Sequence, residues 1–183
     1  QCMGKRSNFE RVPRDYYPTP IHAVEPLIPH LPYSFKYIEP CAGDGRLMEH
    51  LTKLTDGMAE CILALDIEPK ADHIIKGDAL HFHGANEFDT EILTITNPPW
   101  QRRVLHPIID QYLDICPTWL LFDADWMHTK QSACLMTYCK KIVSVGRVKW
   151  IEGSKSSGKD NCCWYLFDKT NKEATEFYGR NVE

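Results

Sequence analysis

A short polar and aromatic motif, Asn97-Pro98-Pro99-Trp100, follows the apolar and β-branched run Ile92–Thr96. Such a run is typical of a buried strand. Neither proline can donate a hydrogen bond to a sheet, so we predict that the strand ends at Asn97. Each proline also restricts the residue before it to extended backbone geometry. The motif therefore forms a rigid corner that presents a side-chain amide, backbone carbonyls and an aromatic face, and such a corner can bind a planar amine.

A second group of residues combines a predicted strand, a glycine-bearing turn and a predicted helix. The strand covers residues 35–39, the turn is Pro40-Cys41-Ala42-Gly43-Asp44-Gly45, and Leu47, Leu51 and Leu54 recur at helical spacing. The two glycines permit a sharp turn and a close approach of a ligand to the backbone beside a helix N-terminus. The complete GxGxxG motif is absent, and a GxG alone is a weak signal.

Two acidic residues follow further predicted strands. Asp66 ends the strand at 60–65, 21 residues after Gly45, which is where an open α/β sheet binds a ribose diol. The alternative for Asp66 is a turn or helix-capping aspartate. Asp78 comes after residues 74–76 and is a second acid at a predicted strand end.

Predicted strands and helices alternate along the chain. Thr19 is a good N-cap and Pro20 suits the first helical position, so a helix is expected to begin there, and Pro26 predicts its kink or early end. The later predicted elements are a helix around 105–113, a strand at 119–122, a helix at 132–141, extended segments at 142–145 and 147–150, a loop at 151–161 and a last strand at 162–167. This order predicts a doubly wound, mostly parallel α/β sheet with a C-terminal antiparallel hairpin.

The composition indicates one globular domain. The chain has 183 residues, 43% of them hydrophobic, which predicts a single domain over 1–183 with a flexible basic arm at 1–14. The net charge of -4 argues against a uniformly basic surface, although both a local basic face and scattered solvated charges fit the positions of the lysines and arginines. No apolar run reaches the roughly 20 residues that span a bilayer, and the N-terminus lacks the apolar segment of a signal peptide. We expect a soluble, cytoplasmic protein without a membrane partner.

The eight cysteines do not have the spacing of a metal site. No CxxC pair is present; Cys134 and Cys139 are five positions apart, and Cys162 and Cys163 are adjacent. A secreted disulfide framework conflicts with the missing signal peptide. We therefore expect reduced, mostly buried thiols and no metal.

The ordered motifs resemble those of S-adenosylmethionine-dependent amino-methyltransferases. The similar segments are Glu39-Pro40-Cys41-Ala42-Gly43-Asp44-Gly45, Asp66, Gly77-Asp78-Ala79 and Asn97-Pro98-Pro99-Trp100. Asp15-Tyr16-Tyr17-Pro18-Thr19-Pro20 is similar to the N-terminal cofactor motif of DNA adenine-N6 methyltransferases, in particular the compact, phage-type members. Four motifs in the right order are a strong signal together. The resemblance covers residues 15–167 and implies a Rossmann-like methyltransferase fold. It also implies a protein of a bacterial or phage-infected cell.

The resemblance also implies a role for each matched residue. The methionine part of S-adenosylmethionine would be held by Tyr17, Thr19, Glu39, Cys41 and Gly43, with Gly45 close behind. Asp66 would bind the ribose hydroxyls, and Ile67 would pack on the adenine of the cofactor. Asp78, beside Ala79, would accept a hydrogen bond from the amino group of that adenine, and Asn97 would lie between cofactor and acceptor.

For the acceptor, the resemblance implies a flipped adenine of DNA. Asn97 and the carbonyl of Pro98 would accept the two amino hydrogens and localise the lone pair of the nitrogen, Pro99 would keep the corner rigid, and Trp100 would stack on the base. Stacking of this kind contributes about 1–3 kcal/mol per base. The common form of the motif ends in tyrosine or phenylalanine, and Trp100 departs from it while keeping and enlarging the aromatic face.

A separate target-recognition domain is not predicted. The candidates for nucleic-acid contact are the loop 151–161, the stretch 125–130 and the basic residues Arg102, Arg103, Lys155 and Lys159. Specificity would then be short, lax or supplied by a partner subunit, and a homodimer is one possibility.

Two alternatives remain open. The same fold and cofactor also serve methyltransferases that act on RNA amines or on a protein glutamine. A non-catalytic S-adenosylmethionine-binding module is the alternative from another class, and the presence of both Asn97 and Trp100 argues against it.

Overall fold

The computed structural model describes residues 16–84 and 91–181, so the predicted arm at 1–14 lies outside the described residues. The described residues form one central sheet with helices on both faces. The strands are β1 (Phe35–Glu39), β2 (Ala59–Asp66), β3 (Ile75–Lys76), β4 (Ile92–Thr96), β5 (Thr118–Asp123), β6 (Cys139–Arg147), β7 (Asn161–Phe167) and β8 (Glu176–Tyr178). The α-helices are α1 (Ile21–Val24), α2 (Arg46–Leu54), α3 (Arg102–Leu113) and α4 (Ala133–Met136), and 3₁₀ helices span Glu25–His30, Ala79–His81, Ala124–His128 and Lys130–Ser132.

The sheet has eight strands in the order β3-β2-β1-β4-β5-β7-β6-β8. Neighbouring strands are parallel except at β7, which is antiparallel to both β5 and β6. The direction of winding reverses between β1 and β4, and ligands of open α/β sheets bind outside the carboxyl ends of the strands at such a reversal. The predicted fold class, a mostly parallel sheet with a C-terminal antiparallel hairpin, is confirmed.

The strands are apolar on both faces because helices cover both faces. Successive residues of a strand point to opposite sides, so Tyr37 packs in the hydrophobic cluster beside α1 and α2 while Ile38 packs in the cluster beside α3. The same alternation divides β5, where Trp119 and Leu121 face one cluster and Leu120 and Phe122 face the other. Burial on both faces produces the continuous apolar runs from which these strands were predicted.

The first helix begins one residue later than predicted. Its N-cap is Pro20, with no side-chain capping bond, because the Thr19 hydroxyl instead accepts a hydrogen bond from Asn97 at 3.1 Å. The helix ends at Val24 and continues as the 3₁₀ helix that contains Pro26. Proline has no N–H for an α-helical bond, and the predicted early end is confirmed.

The predicted helix at 132–141 is confirmed only for its first part and is wrong beyond it. Only α4 is α-helical there, and β6 already begins at Cys139, which pairs with Phe167 of β7. The register shifts near residues 140 and 145 interrupt the period-2 pattern that would have revealed the strand. The strand also continues through Gly146, which was expected to break it; this residue has φ of 84° at the second shift.

The strand at 161–167 is not the last one. The three-residue strand β8 pairs in parallel with β6 and is largely exposed, so it has no hydrophobic pattern by which to recognise it. Among the described residues, no helix is long and apolar enough to cross a membrane. Of the seven described cysteines, all are free thiols; Cys139, Cys162 and Cys163 are buried and Cys134 is exposed.

Candidate active site

Two cavities lie at the carboxyl ends of the central strands. The first, which we call the turn cavity, has a volume of about 350 Å³ and is lined by the glycine turn after β1 and by the ends of β2 and β4. The second, which we call the aromatic cavity, has a volume of about 580 Å³ and lies beside Trp100 and Trp150. Asn97 and Tyr17 line both cavities. They therefore lie where two bound molecules would meet.

Ten of the eleven residues predicted to bind the cofactor line the turn cavity, namely Tyr17, Thr19, Glu39, Cys41, Gly43, Asp66, Ile67, Asp78, Ala79 and Asn97. Gly45 does not line it. It is the N-cap of α2 and has φ of 84°, in the left-handed region that favours glycine. A Cβ atom there would lie 2.8 Å from Nε2 of His73, so Gly45 shapes the turn from behind.

The glycine turn is fixed to the end of β2 by two hydrogen bonds. Ala42 N–H donates to the carbonyl of Leu65 at 2.8 Å, and Gly43 N–H donates to Oδ2 of Asp66 at 2.8 Å. Gly43 has φ of 58°, and a Cβ atom added to it would lie 2.6 Å from the ring of Tyr16. Tyr16, which was not among the predicted site residues, therefore lies directly against the turn and lines the same cavity.

The two acids at the strand ends are held by backbone donors. Asp66 accepts through Oδ1 from Glu68 N–H at 2.7 Å, in addition to its bond with the glycine turn. Asp78 accepts from Leu80 N–H at 2.9 Å and caps the short 3₁₀ helix. Both are thus turn aspartates as well as cavity residues. Each carboxylate oxygen has more than one lone pair, so these bonds orient the carboxylates and still leave acceptor capacity toward the turn cavity.

Glu39 is a buried acid at the end of β1. Its side chain is 1% exposed, and Oε1 accepts from Cys41 N–H at 3.2 Å. The pKa of Glu39 is raised to about 8, chiefly by burial and also by the nearby Asp66 carboxylate, against the lowering effect of hydrogen-bond donors such as Cys41 N–H. Burial also raises the pKa of the neighbouring Cys41 thiol well above its usual range. A cation bound in the turn cavity would favour the ionised form of Glu39.

The side-chain amide of Asn97 is held at both ends. Nδ2 donates to the hydroxyl of Thr19 at 3.1 Å, and Oδ1 accepts from the indole N–H of Trp100 at 3.2 Å. The same N–H also donates to the carbonyl of Leu121 at 3.2 Å. After these bonds the amide keeps one acceptor position on Oδ1 and one donor N–H. Asn97 can therefore accept one hydrogen of an amine.

Three aromatic rings line the aromatic cavity. The ring of Trp150 lies 5.6 Å from that of Trp100 at an angle of 79°, and 6.3 Å from that of Tyr17 at 49°. Gly158 packs against Trp150 and donates its N–H to the carbonyl of Val148 at 2.7 Å. Trp150 was not predicted as a site residue; its only sequence signal is an aromatic residue before the polar loop 151–161.

Only two of the four residues predicted to contact nucleic acid line the aromatic cavity. Arg102 and Lys159 line the aromatic cavity, whereas the exposed side chains of Arg103 and Lys155 do not. Arg102 forms an ion pair with Asp123 at 2.8 Å. The carboxylates of Asp123, Asp125 and Asp160 line the cavity as well, so its charge is mixed.

The motif residues that follow Asn97 have different surroundings. Pro99 lines the turn cavity and Trp100 lines the aromatic cavity, while Pro98 is buried. The motif thus forms part of the partition between the two cavities.

The fold is similar to that of solved methyltransferases. No protein-family model and no curated protein matches the sequence. The methyltransferase subunit of a type I restriction-modification system from Streptococcus thermophilus superposes with a TM-score of 0.60 at 10% identity, over 92% of this chain and 49% of that chain. The 23S rRNA methyltransferase ErmE superposes with a TM-score of 0.55 at 12% identity, over 81% of this chain and 67% of that chain. A dimethyladenosine transferase from Plasmodium falciparum superposes with a TM-score of 0.53 at 14% identity, over 84% of this chain and 62% of that chain.

The chain spans about half to two thirds of the length of these three proteins. At such low identities the similarity shows the fold. A class I S-adenosylmethionine-dependent methyltransferase from Listeria monocytogenes has the same fold, with a TM-score of 0.54 at 10% identity over 86% of this chain and 62% of that chain. The chain therefore has the Rossmann-like fold of the class I S-adenosylmethionine-dependent methyltransferases, and this class of neighbours supports the predicted cofactor.

The raised pKa of Glu39 predicts a pH-dependent loss of stability without cofactor. The pKa of Glu39 in the folded chain, about 8, exceeds its pKa in the unfolded chain. The contribution of Glu39 to the stability of the fold is therefore complete below the unfolded pKa and is lost as the pH rises through the folded pKa. We expect Glu39→Gln to remove this dependence and to be the more stable protein above pH 8, by on the order of a few kcal/mol. Thermal unfolding between about pH 5 and 9 measures it.

The matched control is Glu49→Gln, because Glu49 is exposed on α2 and close in sequence. It should follow the parent at every pH. Parallel curves for the parent and Glu39→Gln would show that Glu39 does not titrate as a buried acid.

Proposed function

We propose that this chain transfers a methyl group from S-adenosylmethionine to the N6 amino group of adenine in DNA. The observation that carries the proposal is the position of Asn97, whose amide is held at both ends and lines both the turn cavity and the aromatic cavity. A group that must contact an acceptor amine beside a methyl donor belongs at such a position.

The turn cavity has the donor set that the cofactor requires. Asp66, oriented by two backbone N–H groups, offers acceptors to a ribose diol, and Ile67, which is 55% exposed, offers an apolar surface to a base. Glu39 is a buried carboxylate that a bound cation would stabilise, and the methionine part of S-adenosylmethionine carries an ammonium group. When bound, the cofactor supplies an electrophilic methyl group. The residues that line the turn cavity fit it.

The protein must activate the amino group of adenine, which is a weak nucleophile. The lone pair of an adenine amino group is delocalised into the ring. The remaining acceptor position of Asn97 Oδ1 and the carbonyl of Pro98 accept the two amino hydrogens, which favours a pyramidal nitrogen with a localised lone pair. Attack then requires mainly alignment and electrostatic stabilisation. Because the Asn97 amide is already oriented, little reorganisation is needed when the acceptor binds.

The aromatic cavity binds the acceptor base. Tyr17, Trp100 and Trp150 present aromatic surface beside Asn97, and a base flipped out of the duplex replaces its lost stacking on such rings. The carboxylates of Asp125 and Asp160 disfavour a phosphate in this cavity. We therefore assign the cavity to the base. We assign contacts with the DNA backbone to Lys159, which lines the cavity, and to the exposed Arg103 and Lys155, with further recognition supplied by a partner or a second copy of the chain.

Adenine in DNA is favoured by the contact between two distant motifs. Thr19 belongs to the segment that resembles the cofactor motif of DNA adenine-N6 methyltransferases, and its hydroxyl holds the amide of Asn97, 78 residues away. The neighbour from Streptococcus thermophilus is a restriction-modification methyltransferase subunit, which agrees with DNA. ErmE is an rRNA methyltransferase, so the experiment also includes RNA as an acceptor, together with a glutamine peptide.

The test uses labelled cofactor with DNA, RNA and a glutamine peptide, each presented to the parent protein and to Asn97→Ala. We expect transfer to adenine N6 of DNA and a loss of at least about 100-fold in kcat in the variant, as when an electrostatic contact of the transition state is removed. Calorimetry should show a cofactor Kd within about threefold of the parent, because the other cavity residues are unchanged.

Asn171→Ala, between β7 and β8, is the control and should retain full activity. Preferential transfer to RNA or to the peptide would show that DNA is not the acceptor. Cofactor binding without any transfer would show that the chain is a binding module. Parent-level transfer by Asn97→Ala would contradict the mechanism.

The role of Trp150 gives a separate prediction. Trp150→Ala removes a ring of the aromatic cavity, so we expect KM for DNA to rise about 5- to 150-fold, equivalent to 1–3 kcal/mol of base stacking. Trp150→Phe should recover most of this. Cofactor affinity should stay unchanged, because Trp150 does not line the turn cavity.

Tyr33→Ala is the matched control, since Tyr33 is an aromatic residue with 87% of its surface exposed outside both cavities. Equal weakening of DNA and cofactor binding by Trp150→Ala would contradict a stacking role. Steady-state kinetics over DNA concentration, with calorimetry of the cofactor, measures both.

A further inference from the structure

We propose that Trp100 is a positioning residue whose indole N–H sets the orientation of the Asn97 amide. This inference rests on the proposed function, because it names how the same site is prepared for the acceptor. It adds a role that stacking does not require. The common form of the motif, with tyrosine or phenylalanine at this place, has no indole N–H.

The two hydrogen bonds that hold Asn97 differ in what they can specify. The hydroxyl of Thr19 can accept a hydrogen bond from Nδ2, as it does at 3.1 Å, or donate one to an oxygen in the same place. Thr19 is therefore compatible with either orientation of the amide. The indole N–H of Trp100 is a donor only, so the atom 3.2 Å from it must be the oxygen.

A turned amide would place an NH₂ group against the indole N–H. Two donors would then face each other, and Oδ1 would face Thr19 instead of Trp100. The acceptor amine needs an oxygen, because both of its hydrogens must be accepted for the lone pair to localise. The fixed direction of the Trp100 bond thus selects the orientation that the reaction requires.

The bond from Trp100 need not break when the acceptor binds. A carbonyl oxygen has two acceptor positions, and Trp100 occupies one of those on Oδ1. The indole N–H also bonds the carbonyl of Leu121 in the buried strand β5, and the ring packs edge-on against Trp150. These contacts hold the indole in place from the sheet and from the loop side. The orientation of Asn97 is consequently built into the protein before the acceptor arrives.

The test removes the donor and keeps the shape of the ring. Replacement of Trp100 with 3-benzothienylalanine puts sulfur in place of the indole N–H. We expect kcat to fall about tenfold, a typical consequence of losing one orienting hydrogen bond, with KM for DNA within about twofold. Trp100→Phe should also lower kcat, although phenylalanine satisfies the common form of the motif.

A second readout does not depend on activity. In ¹⁵N-resolved spectra of the protein without cofactor or DNA, the side-chain amide of Asn97 should give one set of signals in the parent. The benzothienyl variant should give two sets or exchange-broadened signals, because both orientations become populated. Asn97→Ala assigns these signals by their disappearance.

The same replacement at Trp164 is the control. Its indole N–H donates to the carbonyl of Ala23 at 2.8 Å in the core, away from both cavities. Losing that bond should lower the melting temperature and leave kcat unchanged. This control separates a local orienting effect from a general loss of stability.

An unchanged kcat in the benzothienyl variant of Trp100 would overturn the proposal, and so would a fall in kcat with a single Asn97 orientation. If the parent does not methylate DNA, the proposed function fails, and the amide spectra still decide whether Trp100 orients Asn97. The two failures are therefore distinguishable.

Discussion

The candidate site depends on the divergence of two neighbouring chain connections. The connection that follows β1 leads to α2 on one face of the sheet, and the connection that follows β4 leads to α3 on the opposite face. A crevice must therefore open between the ends of these adjacent parallel strands. The glycine turn borders it on one side and Asn97 on the other. The position of the site is thus a consequence of strand order, and the side chains decide only what the crevice binds.

The burial of Glu39 at the end of β1 is unfavourable for the fold. A carboxyl group that is 1% exposed destabilises the fold when it is ionised, and an apolar residue of similar size would avoid that loss. The raised pKa of Glu39 keeps it largely neutral near pH 7 until a cation is present. Strongly shifted carboxyl groups in a cavity are typical of functional sites. A cation bound beside Glu39 would therefore release a proton from it.

The sequence predicted the fold where a pattern is local and failed where it depends on distant parts of the chain. β1, β2, β4 and β5 are continuous apolar runs, and the positions of Asp66 and Asp78 follow from the strand ends alone. The start of β6 was missed because its register shifts against β7 disturb the alternation. The contact of Thr19 with Asn97 and the position of Trp150 arise from segments that meet only after the sheet has formed, so no spacing in the sequence reveals them.

The tryptophan at position 100 is best understood together with its surroundings. A larger ring than phenylalanine or tyrosine reaches the carbonyl of Leu121 and fills space against Trp150. Trp150 in turn has a close neighbour without a side chain, because a Cβ atom on Gly158 would lie 3.1 Å from its ring and make a tight contact. Residues 100, 150 and 158 thus form one packed unit that joins the motif to the loop between β6 and β7. The departure from the common motif is therefore a property of the whole aromatic cavity, which Trp100, Trp150 and Gly158 all line.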